Sequence, residues 1–220
     1  MVRKRELSIG IVILLVATSA YLLGWTNLFT VKQIEIEGAP NQEIKTAVMQ
    51  YSELTIGQKL ARVEPRTVAN KLNNSGIDWL ENVDISRNWI SGKLVIALKA
   101  RKAIATVGDK YSDQSGALFK SPVAVKNKLP ELVAADRQSR ENGLDLYLKL
   151  PASFRDQVTG IFVTSQESYQ FQLGERLKVV WGGKSDSEVK VKIFQKLLAL
   201  PENKEIKLMD LSDPTKPTVR

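Results

Sequence analysis

Hydrophobic and polar residues alternate over residues 31–38, VKQIEIEG, directly after a long uncharged stretch. Ile34 and Ile36 fall on one side of an extended chain, while Gln33 and two glutamates fall on the other. This period of two residues predicts a half-buried β-strand that ends at Gly38. A folded domain is therefore expected to begin close to a segment with a very different pattern.

The uncharged stretch over residues 7–25 predicts a transmembrane helix. Its nineteen residues would form a helix of about 28 Å, close to the roughly 30 Å hydrocarbon core of a bilayer. Three basic residues in the preceding tail, residues 1–6, place that tail in the cytoplasm and residues 30–220 outside it. The pattern predicts a single-pass type II protein of the cell membrane. The alternative is a cleaved signal peptide with a site at 18–20, although the apolar run continues beyond that site.

Residues 30–107 predict a first outer domain with the order β-α-α-β-β. Asn41 is placed to cap a helix whose apolar residues recur at i, i+3, i+4 and i+7. A second helix starts at Pro65 and ends at Gly76. Two strands follow, joined by a hairpin turn at 91–92. We expect a three-stranded sheet with two helices on one side.

Residues 108–220 predict a second outer domain, a mostly antiparallel β domain with a late helix. Three strands are expected over 158–183, and a last strand over 205–212. Ser185 or Ser187 is placed to cap the helix between them. The apolar stripe of that helix is predicted to consist of Val189, Ile193, Leu197 and Leu200. The chain as a whole is predicted to be of the α+β class.

The amino-acid composition excludes several kinds of catalytic and metal site. The chain has no cysteine and no histidine, which excludes disulfides, thiolate zinc sites and the commonest general base. The formal net charge of +8 comes from scattered basic residues, which suits anionic lipid or cell-wall polymer and not nucleic acid. We therefore predict no metal, no cofactor and no enzymatic activity.

Two patterns remain as alternatives to that prediction. Ser187 and Lys190 have the Ser-x-x-Lys spacing in which one helical turn brings an amine to a hydroxyl nucleophile. The companion motifs of such enzymes are missing, so the exposed start of an amphipathic helix explains the spacing better. Trp79 and Trp89 could form a platform for stacking sugars, but aromatic residues on a small sheet more often belong to its core or rim.

The order of these motifs resembles the FtsQ/DivIB family of bacterial cell-division proteins. LFTVKQIEIEG is similar to the opening strand of that family's POTRA (polypeptide-transport-associated) domain, and VDISRNWISGKLVIALKARKAIATV to its last two strands. The positions that keep the family pattern are Val83, Arg87, Trp89, Leu94 and Ile96. Ile90 replaces the usual proline, and residues 100–103 replace a Glu-Arg-x-Pro run. In the second outer domain, YSDQSGALFK is similar to a hairpin of the family.

The resemblance implies a non-enzymatic division scaffold at the septum. Its implied partners are FtsB/DivIC-like and FtsL-like division proteins and, through them, the FtsW/FtsI wall-synthase complex. An exposed final strand is suited to binding a partner strand by β-augmentation. The partner-binding residues implied for this chain are Ile206, Lys207, Leu208, Met209, Asp210, Leu211, Ser212 and Val219. Lysines 190, 192 and 196 of the preceding helix are expected to flank them.

Other protein classes share parts of this pattern. A secretion or assembly component would carry repeated POTRA domains or a barrel, and a sensor would carry a cytoplasmic output domain. A membrane-anchored Ser–Lys hydrolase is the enzymatic alternative.

Overall fold

The computed structural model describes residues 2–25, 29–165 and 168–220. The chain divides into two compact units, Met1–Ala100 and Arg101–Arg220. In the described residues, the first unit has a three-stranded sheet and the second has a nine-stranded sheet, both accompanied by helices. The predicted α+β class is confirmed.

The chain begins with a long helix, α1 (Val2–Trp25). Among the residues that the structure describes, no helix combines the length and the apolar character needed to cross a membrane. The transmembrane helix predicted over residues 7–25 is therefore not confirmed. The structure does not describe the side chains of the predicted tail, residues 1–6.

The first unit has the predicted POTRA order β-α-α-β-β. Its elements are β1 (Gln33–Glu37), α2 (Gln42–Ser52), a short 3-10 helix (Leu60–Arg62), α3 (Pro65–Asn73), β2 (Leu80–Asn88) and β3 (Lys93–Ala100). β3 is the central strand and runs parallel to β1 and antiparallel to β2. β1 is therefore an edge strand.

Local sequence explains where these elements begin. The side chain of Asn41 accepts a hydrogen bond of 2.9 Å from the backbone N–H of Ile44 and so caps α2. Pro65 occupies the first turn of α3, where no N–H is required. The apolar faces of the helices and of the central strand meet in a core that includes the fully buried Val48, Leu72, Leu94 and Ile96.

The two tryptophans of this unit do not form a sugar-stacking platform. Trp79 is buried, with 7% of its surface exposed. The ring of Trp89 packs edge-on against Phe29, with 6.2 Å between ring centroids. The guanidinium of Arg87 lies 5.2 Å from the centroid of the Trp89 ring. The alternative fails because one ring is in the core and the other is in contact with both Phe29 and Arg87.

The second unit is built on one mixed sheet with the strand order β12-β11-β10-β9-β8-β7-β4-β5-β6. Its strands are β4 (Ala105–Val107), β5 (Lys110–Ser112), β6 (Leu118–Phe119), β7 (Glu131–Val133), β8 (Val158–Ser165), β9 (Ser168–Leu173), β10 (Leu177–Gly182), β11 (Leu208–Asp210) and β12 (Thr218–Val219). Its helices are α4 (Arg137–Lys149), α5 (Ala152–Arg155), α6 (Ser187–Ala199) and a 3-10 turn (Pro201–Asn203). The pairings are antiparallel except between β10 and β11, β7 and β8, and β4 and β7. The predicted antiparallel sheet with a late helix is therefore correct in outline.

The boundary between the units lies after Ala100 and not after residue 107 as predicted. The segment Ala105–Val107 forms β4, which pairs with β5 and β7 of the second sheet. Arg101 also belongs to this unit, because its guanidinium lies 2.5 Å from the carboxylate of Asp113. The sequence pattern could not locate the boundary, because the pattern of a strand does not show to which of two sheets the strand belongs.

The turn after β5 is fixed by the carboxylate of Asp113. One oxygen accepts hydrogen bonds from the backbone N–H groups of Ser115 (2.9 Å) and Ala117 (3.0 Å), while Arg101 donates to the other. Burial raises the pKa of Asp113, but these hydrogen bonds outweigh it and hold the pKa below its ordinary value. Arg140 of α4 donates to the carbonyl of Gly116 at 2.8 Å, which joins the turn to the helix.

Four aromatic rings form the centre of the second core. Phe154 of α5 packs edge-on against Phe171 and Trp181, with 5.5 Å between centroids in each case. Phe194 of α6 lies 4.8 Å from the same ring. These contacts place α5 and α6 on one face of the sheet.

The predicted apolar stripe of α6 is correct for Ile193 and Leu197, which pack against the core, and wrong at its two ends. Val189 and Leu200 are 47% and 40% exposed, whereas Lys190, Val191 and Phe194 are buried. The helix turns its charged residue inward because the ammonium of Lys190 finds backbone carbonyls there. A hydrophobic pattern cannot anticipate a buried lysine.

Candidate functional site

The predicted partner-binding residues centre on β11, which is an interior strand of the sheet. On one side β11 pairs in parallel with β10. The N–H of Lys178 donates to the carbonyl of Lys207 at 2.9 Å, and the N–H of Leu211 donates to the carbonyl of Val180 at 2.8 Å. The inner edge of β11 is therefore occupied.

The outer edge of β11 is occupied by β12. Leu208 and Arg220 exchange two backbone hydrogen bonds, of 3.0 Å and 2.9 Å. Met209 lies opposite Val219 in the antiparallel register. The prediction of an exposed final strand over 205–212 is therefore wrong, because both edges of that strand are already paired.

The free edge at this end of the sheet belongs to β12. Hydrogen-bonded and non-hydrogen-bonded pairs alternate along an antiparallel ladder. Leu208 and Arg220 form a hydrogen-bonded pair, so Met209 and Val219 form the next, non-hydrogen-bonded one. The N–H and C=O of Val219 therefore point away from β11. Every second residue of this segment faces outward, and the other such residue, Pro217, has no N–H. Within 217–220, Val219 is therefore the outward donor.

A tight connection returns the chain from β11 to β12. One carboxylate oxygen of Asp210 accepts from the N–H and hydroxyl of Ser212, at 2.9 Å and 2.6 Å. Asp213 accepts in the same way from Thr215, at 2.9 Å and 2.7 Å. The bond from the Thr215 hydroxyl and then that from its N–H lower the pKa of Asp213. These Asx turns fix the reversal that places β12 on the edge.

The predicted site residues have different degrees of burial. Met209 and Leu211 are fully buried in the core of the second unit. Ile206 and Val219 are partly buried and pack against that core. Lys207 and Ser212 are exposed, and Leu208 and Asp210 are half-buried. The surface a partner can touch is therefore smaller than the predicted set, and Met209 and Leu211 support it from inside.

The face of the sheet opposite the core helices presents a row of side chains that ends at β12. Phe162, Gln170, Val180, Asp210 and Thr218 are successive Cα partners across five strands. Each of the five is half-buried or exposed. A strand added outside β12 would continue this row, because side chains in register share a face.

The Ser187–Lys190 pair is engaged in structural contacts. The hydroxyl of Ser187 donates to the carbonyl of Lys184 at 2.8 Å and accepts from the indole N–H of Trp181 at 3.3 Å. The ammonium of Lys190 donates to the carbonyls of Trp181 (2.9 Å) and Gly183 (3.0 Å). Burial lowers the pKa of Lys190. The pair closes the end of β10 onto α6.

Lys190 consequently does not flank the partner-binding strand as predicted, since it is 1% exposed. Lys192 and Lys196 are exposed on the same helix. Arg220 and Lys207 are exposed at the free edge itself. These two basic side chains lie beside β12, where they would attract acidic residues of an added strand.

The structure shows that β12 is the edge strand, which the sequence pattern did not predict. β12 is two residues long and follows two prolines, so period and propensity carried almost no signal for it. The pattern that indicates it is the repeated Asp-x-Ser/Thr of the return, Asp210 with Ser212 and Asp213 with Thr215.

Two family models match the chain. The POTRA domain of the FtsQ type matches residues 29–101, and the C-terminal domain of the cell-division protein FtsQ/DivIB matches residues 104–212. No curated protein matches the chain. The first match ends, and the second begins, close to the observed boundary between the units. The second match ends shortly before β12.

Proposed function

We propose that this chain, which belongs to the FtsQ/DivIB family of cell-division proteins, is a non-enzymatic scaffold of the division machinery. In this role it binds other division proteins outside the cytoplasm and connects early components to septal wall synthesis. The observation that carries the proposal is the edge strand β12, whose Val219 directs its N–H and C=O outward.

The proposed partner is the extracytoplasmic segment of an FtsB/DivIC-like protein, added as a strand to β12. An added strand gains backbone hydrogen bonds from Val219 and side-chain contacts from the half-buried residues around it. The partner in turn joins an FtsL-like protein and the FtsW/FtsI synthase complex. The basic residues at the edge, Lys207 and Arg220, favour an acidic partner segment.

The contacts of Ser187 and Lys190 support the absence of enzymatic activity. A Ser–Lys hydrolase needs the amine within reach of the hydroxyl proton. Here each group is committed to backbone carbonyls of the β10–α6 connection. Neither is presented to a substrate.

We further propose that α1 attaches the chain to the cell membrane with its N-terminus in the cytoplasm. Over its described side chains, α1 exposes large apolar residues all around its surface, among them Ile9, Val12, Leu14 and Val16. A helix that is apolar on every side is stable against lipid or protein and not against water. The family is one of membrane proteins at the division site, which agrees with this arrangement.

The proposal is tested by imaging a fluorescent fusion at the N-terminus in dividing cells depleted of the native protein. We expect a band at midcell, and filamentous cells on depletion without the fusion. Retention of the fluorescent protein in the membrane fraction after alkaline carbonate extraction tests the attachment separately. A uniform signal together with normal septation would refute the division role.

A further inference from the structure

Two loops of the first unit expose large aliphatic side chains. Ile90, at the tip of the β2–β3 hairpin, is 94% exposed, and Ile56, in the loop after α2, is 71% exposed. Single exposed aliphatic residues are common on protein surfaces. Two of them at the tips of neighbouring loops need an explanation.

Both loops are bonded to the segment 29–32, which leads into β1. The N–H of Val31 donates to the carbonyl of Gln58 at 2.8 Å. On the other side, the N–H of Lys32 donates to the carbonyl of Gly92 at 2.8 Å. The three segments 29–33, 56–63 and 87–93 therefore form one continuous surface, here named the basal surface.

Glycine is required at the point where the hairpin meets this segment. Gly92 has φ +73°, and a Cβ there would lie 2.6 Å from the carbonyl oxygen of Thr30. Phe29 packs against Trp89 in the same hairpin. Arg87 donates to the carbonyls of Leu60 and Val63, which joins the hairpin to the 3-10 helix. The loops that expose the isoleucines are thus held firmly.

The basal surface lies close to the end of α1. Three residues separate Trp25, the last residue of α1, from Phe29, so four Cα–Cα steps join them. Even a fully extended chain spans no more than about 14 Å over that distance. If α1 is held in a membrane, the bilayer surface is within reach of the basal surface.

The three segments of the basal surface carry only basic side chains, one of which is paired from outside, since Lys93 forms an ion pair with Glu35 of β1. The segments themselves contain no aspartate or glutamate. They contain five basic residues, namely Lys32, Lys59, Arg62, Arg87 and Lys93. Basic residues beside apolar tips are the composition that binds anionic membrane surfaces, since the charges attract lipid headgroups and the apolar groups enter the interface.

We propose that the basal surface is a lipid-contact site, on which Ile56 and Ile90 enter the headgroup region of an anionic membrane. This inference rests on the membrane attachment proposed for α1. The contact would hold the first unit against the bilayer in one orientation. It is independent of the β12 edge, which lies in the other unit.

The absence of native cysteine allows a single-cysteine test on the full chain. Ser91→Cys places a thiol beside Ile90 at the hairpin tip, and Asn74→Cys places the control on the connection into the opposite end of β2. The nine residues of β2 separate these ends by about 26 Å. Each thiol is labelled with a polarity-sensitive fluorophore, and the protein is reconstituted into vesicles of phosphatidylcholine with or without phosphatidylglycerol.

With phosphatidylglycerol present, we expect the label at position 91 to shift to the blue, to lose quenching by aqueous iodide and to be quenched by lipid-borne nitroxides. The label at position 74 should do none of these. Adding Ile56→Ser and Ile90→Ser to the position 91 variant should abolish the blue shift. Vesicles without phosphatidylglycerol should give a smaller shift.

Flotation with the vesicles separates the two proposals. A chain that floats but leaves the position 91 label exposed to iodide refutes the lipid-contact site alone. A chain that does not float refutes the attachment through α1, and the lipid contact with it. A blue shift that depends on protein density, or that appears only with added division proteins, assigns the surface to protein contacts and overturns the inference.

Discussion

The proposed strand addition predicts that one backbone N–H matters more than the side chain that carries it. Val219→Pro removes the outward N–H of β12 and leaves the ladder to β11 intact, because the bonds to β11 belong to Thr218 and Arg220. Val219→Ala is the matched control. It shortens the same half-buried side chain and keeps the N–H.

The size of the effect follows from what the partner loses. Without the donor, a carbonyl of the added strand is left without a hydrogen bond in a desolvated contact, at about 1 to 3 kcal/mol. The proline variant should therefore bind between about 5-fold and about 150-fold more weakly than the alanine variant. Both variants lose part of the packing of Val219 against the core, so their thermal stabilities should be similar.

The assay is calorimetric titration of each variant with the extracytoplasmic segment of an FtsB/DivIC-like protein. Far-ultraviolet circular dichroism and thermal unfolding show whether each variant keeps the fold. Equal affinities of the proline and alanine variants, with both proteins folded, would refute strand addition at β12. Partner binding would then have to use side chains alone.

Three other changes test the second unit. Asp113→Asn should lower the unfolding free energy by about 2 kcal/mol at neutral pH, because the bond from Arg101 loses its charge. Since folding lowers the pKa of Asp113, its contribution is complete above the unfolded pKa of about 3.9 and disappears as the pH falls through the folded pKa. Urea unfolding at a series of pH values should show the deficit shrinking in acid, and a constant deficit would contradict the assignment. Phe154→Ala should cost about 3 to 5 kcal/mol in the same assay, because the ring touches three others; a loss below about 1 kcal/mol would contradict the aromatic core. Ser187→Ala should leave septation normal in complemented cells, whereas loss of septation by a stable Ser187→Ala protein would revive the hydrolase alternative that pairs it with Lys190.

The first unit could be predicted almost entirely from the sequence. Its signals are local and consistent with one another: alternating residues in β1 and β3, a capping asparagine, a proline at the start of a helix and a glycine in the hairpin. Asn41 and Gly92 perform the roles that their positions indicate. The predictions agree with the structure here because each element is long enough to show a helical or strand periodicity in its sequence.

The second unit was less predictable because its decisive contacts are long-range. Strands of two or three residues, such as β6 and β12, have no period to detect. The pattern predicts no strand after β11, but the turns at Asp210 and Asp213 bring a later segment onto its outer edge. The charge of Lys190 predicts a surface position, whereas its hydrogen bonds to the carbonyls of Trp181 and Gly183 explain its burial. The proposed site therefore lies at the same end of the chain as the predicted residues, but on β12, which contributes only Val219 to that set, and not on β11.

The shortness of β12 constrains how the proposed scaffold can work. A long free edge would pair with other copies of the chain, whereas a two-residue edge preceded by Pro217 offers such pairing little. The same property limits the contribution of backbone bonds. One hydrogen bond adds about 1 kcal/mol net, while a micromolar complex needs about 8 kcal/mol. Under strand addition, most of the affinity must then come from side chains beside the edge, chiefly the partly buried Ile206 and the row that ends at Thr218. The edge sets the direction and register of the bound strand, and these side chains decide which strand binds.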